Sequence, residues 1–416
     1  MSVVLPFEII ALIIDIVGEN NDTNLLKDLA LVSYSFHQIC SKHLFATVDL
    51  HDASSKYDLK YVASSKKGFV KLVKSRPNVV NYKLTYKVNS DNLNNDDDHL
   101  FSPNLPKLLR TISRLNCLTI TASKLDWNTL DFSLTSALLY LMHLPTINHI
   151  DLSLIQNFPL SSLTQSVNLL RVDIFYLCRL NPHDEDPSEI VMLSEMMPKI
   201  REFHTSDSAV LTTKLLHAKR QDGRPAFNFM DLRQVSMSFT QVKDEQNIRY
   251  LLQNATLLDK LHLSIDSSRS LVGLQVRDLL YPSARSLKVL DFTVCLYDEC
   301  SALPLAGLCE ELEAMAGHNM LEALSFEVHV DGHETKEFIG TIIQNMEKVL
   351  VKPGWSALTQ VSFEISIACC WVSRETSAEL SESLQSLPDK YLSHLSKLES
   401  IAFNFSASVV KCPFEY

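Results

Sequence analysis

One short pattern, apolar-x-x-apolar-x-apolar, returns along most of the chain and limits what it can fold into. Its copies start at Val79, Leu115, Ile147, Leu169, Ile200, Leu232, Leu258, Leu287, Leu321, Leu358 and Leu398, at a mean spacing of about 32 residues. The clearest are LDKLHL from Leu258, LKVLDF from Leu287, LEALSF from Leu321, LTQVSF from Leu358 and LESIAF from Leu398. In a strand, the residues between the apolar ones point to the opposite face. Taking three such positions per copy, only Cys117, Phe175, Val289, Ala323 and Ala402 are apolar. That alternation predicts half-buried strands with one solvated face. Helical stretches are predicted between them at 133–144, 188–197, 244–254, 305–316, 335–349 and 373–384. Strand and helix in turn at this spacing predict stacked βα units that share a parallel sheet.

Composition narrows the chemistry. A net charge of −11 argues against nucleic acid as a partner, because its readers carry a basic excess or patch. Only 9 of the 416 residues are glycine, all isolated in sequence. No G-x-G-x-x-G, G-x-x-x-x-G-K or G-x-S-x-G can be drawn through them, which disfavours nucleotide enzymes and hydrolases. Nine cysteines, from Cys40 to Cys412, form no C-x-x-C. The expectation is free thiols in a reducing compartment, cytoplasmic or nuclear, with no secretory leader and no membrane span. Two acidic segments, 91–99 and 181–189, read as exposed loops, and HAKRQDGRP from His217 is the basic cluster in a polar loop.

The N-terminus has a different character. LPFEIIALIIDIV, residues 5–17, begins with Leu5-Pro6, a favoured helix start. Only Glu8 and Asp15 are charged, seven residues apart on one narrow stripe. A helix apolar on most sides must be buried on most sides. Short helices follow after Asp22 or Thr23 as N-cap and again through Phe36, Ile39 and His43. Three helices of this length carry more apolar surface than they can cover alone, which implies a partner or a larger body.

Leu5-Pro6, Ile9, Ile10 and Ile13, then Leu29, Val32, Ser33 and Phe36, then Leu44-Phe45 follow one another in the order of the F-box motif. The segment resembles an F-box of the kind found in large fungal families, with phenylalanine at Phe36 where tryptophan is common. The later repeats resemble leucine-rich repeats, although the asparagine or cysteine after the last strand leucine is matched only at Cys295. The two resemblances imply an α/β chain: an N-terminal three-helix F-box over residues 1–50, then an irregular leucine-rich-repeat-like βα solenoid with a parallel sheet over 51–416. They imply docking onto a Skp-type adaptor, through Leu5, Pro6, Ile9, Ile13, Val32 and Phe36. The adaptor would link the chain to a cullin-based SCF ubiquitin ligase, with a protein target held on the repeats. The alternatives are a helical cap on a larger non-repeat α/β domain and, in function, a repeat scaffold unconnected to a ligase.

No catalytic residue, metal ligand or cofactor is assigned from the sequence. H-E-x-x-H is absent, and HETKE from His333 has glutamate where the second histidine belongs. His149, His204 and His262 are placed at one shared outward strand position, too far apart to bind one metal. Asp291, Glu327 and Glu364 are expected to line up on the concave sheet face as a negative strip for a basic segment of the target.

Overall fold

The computed structural model describes residues 6–20, 22–44, 47–51, 83–88, 105–176, 197–220, 222–240, 242–266, 279–297, 307–331, 336–369 and 374–411. The chain divides into two compact units, residues 1–198 with 218–226 and residues 199–217 with 227–416. The acidic segments 91–99 and 181–189, residues 188–196 of the helix expected at 188–197, Leu5, Phe45, Val79 and residues 333–335 of the HETKE string lie outside the described residues.

The first unit opens with α1 (Phe7–Glu19), α2 (Thr23–Ala30) and α3 (Tyr34–Leu44). Pro6 sits at the N-cap of α1, and the Asp22 carboxylate caps α2 by accepting the Leu25 N–H at 3.1 Å. Ile14, Leu26 and Cys40 are buried at the centre, with Ile10, Val17, Leu29, Phe36 and Ile39 packed around them. Five parallel strands follow: β1 (Thr47–His51), β2 (Lys83–Val88), β3 (Cys117–Asp126), β4 (His149–Gln156) and β5 (Arg171–Phe175). The second unit has seven: β6 (Glu202–Ser206), β7 (Gln234–Phe239), β8 (Lys260–Asp266), β9 (Val289–Tyr297), β10 (Ala323–Asp331), β11 (Gln360–Cys369) and β12 (Ala402–Lys411). Within it, each strand pairs in parallel with the next along the chain.

Parallel neighbours need a crossover, and helices supply many of them. The expected stretches appear as Phe132–Met142, Val242–Asn254, Leu308–Met315, Lys336–Leu350 and Arg374–Gln385, and Ala209–His217 adds another. Their buried residues recur at helical spacing, as in Ile339, Ile343, Met346 and Leu350. Strand residues facing them form continuous buried rows. Phe292, Phe326 and Phe363 occupy the same register on β9, β10 and β11, their rings stacked 5.2 and 5.3 Å apart.

The register tests the repeat frame directly. Leu118, Ile150 and Val172 align in the first unit, each three residues past its frame start. Phe203, Val235, Leu261, Leu290, Leu324 and Val361 do the same in the second. The nine starts from Leu115 to Leu358 are all buried. The frames at Val79 and Leu398 need correction, because Leu84 pairs with Leu118 and Phe403 with Val361, a slip of two residues in each. As an even slip, it preserves which face is buried.

Backbone hydrogen bonds connect the entrances of neighbouring strands. Lys288 and Val289 donate N–H to the Asp259 carbonyl, Glu322 and Ala323 to that of Lys288, and Thr359 and Gln360 to that of Glu322, at 2.8–3.1 Å. The same forked bond joins Asn148 and His149 to Asn116, and Leu170 and Arg171 to Asn148. Each carbonyl uses both acceptor sites, so neighbouring strands are joined without a side-chain ladder.

Two buried carboxylates also link neighbouring segments within the second unit. Glu311 Oε1 accepts the N–H groups of Leu280 and Tyr281 at 2.6 and 2.7 Å, and Glu347 Oε1 those of His394 and Leu395 at 2.7 and 3.2 Å. Substituting Glu311→Ala leaves two N–H groups without their acceptor and is expected to cost roughly 2–3 kcal/mol in urea unfolding. A change within about 0.5 kcal/mol, the range of ordinary surface substitutions, would remove the bridge from the account.

Candidate functional site

Two surfaces stand out. The first is α1. Ile10, Ile14 and Val17 turn into the three-helix core. Ile9, Leu12, Ile13 and Ile16 form a second apolar stripe at helical spacing, and all four are exposed, Leu12 at 57% against 1% for Ile14. Leu31 and Val32, in the turn between α2 and α3, and Tyr34 at the start of α3 are exposed as well, Val32 at 66%. Grouped exposure of this kind marks an interaction surface more than scattered leucines do. Of the adaptor residues expected from sequence, Ile9 and Ile13 lie on the exposed stripe, Val32 in the exposed turn and Pro6 at the exposed N-cap. Phe36 is half-buried against the helical core, where it supports the module's own packing.

The second surface is the outward face of the strands. In the second unit, His204, Ser236, His262, Asp291, Ser325, Ser362 and Asn404 share one row across β6–β12. The next row carries Thr293, Glu327, Glu364 and Ser406 on β9–β12. Glu327 and Glu364 are therefore register partners, while Asp291 stands one outward position away. Lys260 lies 3.7 Å from Asp291. Glu327 accepts a hydrogen bond from Thr293 Oγ1 at 3.2 Å and has His329 Nε2 at 3.1 Å. The three acids form a bent patch with cationic or titratable neighbours, not a straight strip. The central histidine of the face, His262, has its pKa lowered by burial, against the pull of Asp291 and Glu327.

His149 does not stand at the frame position of His204 and His262. It belongs to the first unit, in a row with Cys117 and Arg171 on β3–β5, and Lys83 of β2 occupies the adjoining register position. The frame carries this signal: Cys117, His149 and Arg171 each stand two residues past a start, His204 and His262 four past theirs. In this row, Cys117 Sγ lies 3.1 Å from His149 Nδ1, and His149 Nε2 lies 2.7 Å from Asp173 Oδ2. Arg171 donates through Nε to both Asp173 oxygens, at 3.0 and 3.1 Å. Asp173 is buried, so its carboxylate acts in a poorly screened setting.

Burial works against charge on His149, but the bonds to Asp173 and then Cys117 outweigh it and raise its pKa to about 9. Relative to an unfolded value near 6.5, the folded chain holds this proton more tightly. The resulting stabilisation is complete below the unfolded pKa and is lost as pH rises through about 9. Raising pH from 6.5 to 9.5 is therefore expected to lower the unfolding midpoint by the equivalent of at most about 3 kcal/mol, and His149→Gln should flatten that dependence. Parallel pH profiles for the two proteins would contradict the assignment.

Among the described residues, no group of three or more His, Cys, Asp or Glu is arranged to hold a metal ion. No described helix is long and apolar enough to cross a membrane. A scan against protein-family models finds no match to the chain, and a search of curated proteins finds none either.

Proposed function

We propose that the chain is a substrate-recognition subunit of an SCF-type ubiquitin ligase. The N-terminal helices act as the F-box that docks a Skp-type adaptor, and the βα units form a leucine-rich-repeat-like solenoid that holds a protein target. The observation that carries this reading is the exposed stripe Ile9–Leu12–Ile13–Ile16 beside Leu31 and Val32. It is a ready-made apolar docking face on the very segment whose residues follow the F-box pattern. The mechanism is proximity: holding target and charged ubiquitin enzyme on one scaffold raises their effective concentration without a nucleophile on this subunit. The working compartment is the cytosol or nucleus.

The test is a size-exclusion run of the purified chain with a purified Skp-type adaptor. Co-elution as a stoichiometric complex is the expected result. Separate elution overturns the adaptor role and leaves a repeat scaffold without ligase function.

Target binding is placed on the outward strand face around Asp291, Glu327 and Glu364, toward a basic segment of the target. Because Lys260 already faces Asp291, most of the attraction falls to the Glu327–Glu364 pair. A triple alanine variant should keep its fold and its adaptor but lose the target that co-purifies with the parent chain at low salt. Equal recovery of that target would make these residues ordinary solvated surface.

A further inference from the structure

We propose that Cys117 is a nucleophilic thiol, held by His149 and Asp173, and a site of S-thiolation by a low-molecular-weight disulfide such as oxidised glutathione. The inference stands apart from the ligase reading and rests on three consecutive strands. Cys117 is half-buried on β3, with its sulfur 3.1 Å from His149 Nδ1 on β4. The far nitrogen of that ring is fixed at 2.7 Å by the buried Asp173 on β5, which Arg171 grips in turn. Thiol, imidazolium and orienting carboxylate thus stand in the order that activates a cysteine. The high proton affinity of His149 fits a ring that stays protonated beside the sulfur.

The surroundings favour a disulfide over an acyl substrate. Acyl transfer needs hydrogen-bond donors for an oxyanion. Here β3 and β4 are internal strands, paired on both sides through this row, so the flanking backbone N–H groups serve the ladder. Thiol–disulfide exchange makes no oxyanion. Cys117 gives up its proton to solvent and, as a thiolate beside the His149 imidazolium, attacks one sulfur of the disulfide. The S–S bond of the reagent breaks as the new S–S bond forms. The departing thiolate takes up a proton from solvent and leaves as a thiol. The protein sulfur is oxidised and the departing half of the reagent is reduced, so no further oxidant is required.

The experiment exposes the native full chain to oxidised glutathione near neutral pH, and quantifies adducts on each cysteine by peptide mass spectrometry. Cys295 is the internal reference, being a half-buried cysteine on the outward face of β9. Cys117 is expected to react at least about tenfold faster than Cys295. His149→Gln should bring the two rates together, and Asp173→Asn should lower the Cys117 rate by a smaller factor. Should either variant fail to fold, the unsubstituted chain in urea serves instead, where the advantage of Cys117 should vanish. Equal native rates for Cys117 and Cys295, an unaltered rate in folded His149→Gln, or an advantage that survives urea would each overturn the proposal.

Discussion

Aspartate at both Ile9 and Ile13 is expected to weaken binding of a Skp-type adaptor by at least about a hundredfold, while leaving the unfolding midpoint nearly unchanged. Both side chains are exposed in the free chain, one helical turn apart on α1, and neither belongs to the packed cluster around Ile14, Leu26 and Cys40. In a complex each would be buried, and burial of an aliphatic side chain contributes roughly 1.5–3 kcal/mol. Losing two, and forcing two carboxylates against an apolar partner, exceeds the ~2.8 kcal/mol that a hundredfold represents. Ile14→Asp is the contrasting variant. Ile14 lies at the centre of the helical core, so that change should unfold the module and lose binding through loss of structure. Isothermal titration with circular dichroism separates the two outcomes. Unaltered affinity in a folded Ile9/Ile13 variant would remove the docking face from α1.

Among truncations to alanine, the largest effect on stability is expected from Phe326→Ala. Phe326 lies in the middle of the three-ring stack, with interplanar angles of 7° to Phe292 and 13° to Phe363. All three rings are buried. Truncation removes the ring's own burial and leaves two neighbours facing a void, a loss of ~3–5 kcal/mol. Phe405→Ala, in the same row on β12, should cost less because that ring is only half-buried. Urea unfolding gives both values. A smaller loss at Phe326 than at Phe405 would mean that the row does not stabilise the unit as its packing indicates.

These two expectations draw on different sources. The apolar excess of α1 was visible in the sequence, because LPFEIIALIIDIV has too few polar positions to give a solvated face. Which isoleucines are free was not. Ile9 and Ile10 are chemically the same residue, and only the packing of α2 and α3 against Ile10, Ile14 and Val17 leaves Ile9, Leu12, Ile13 and Ile16 outside.

The strands show the same division. Alternation by itself assigned the faces, because successive side chains in a strand must point opposite ways. Leu261 and Leu290 are buried, while the Lys260 side chain is 44% exposed, as that rule requires. Asp291 obeys it less fully, being half-buried beside Lys260. Alignment between strands is a separate quantity. One outward position is about 6.6 Å along a strand, and the turns and crossovers set it. The acids and the histidines depart from single rows already in the frame: Asp291 stands four residues past its start and Glu327 and Glu364 six, while His149 stands two past and His204 and His262 four.

What the sequence determined by itself was periodicity and polarity: parallel βα units, an over-apolar N-terminus, and a chain poor in the glycines that phosphate sites use. The tertiary structure alone decided proximity. Cys117, His149 and Asp173 are 32 and 24 residues apart along the chain. Frame counting puts Cys117 and His149 at equivalent positions, yet Asp173 belongs to a different one. Its carboxylate reaches His149 because β5 lies beside β4 and Arg171 holds the group in place. No spacing rule encodes that diagonal bond. It arises from the packing of two neighbouring strands, and it turns a polar row on a sheet into a candidate for chemistry.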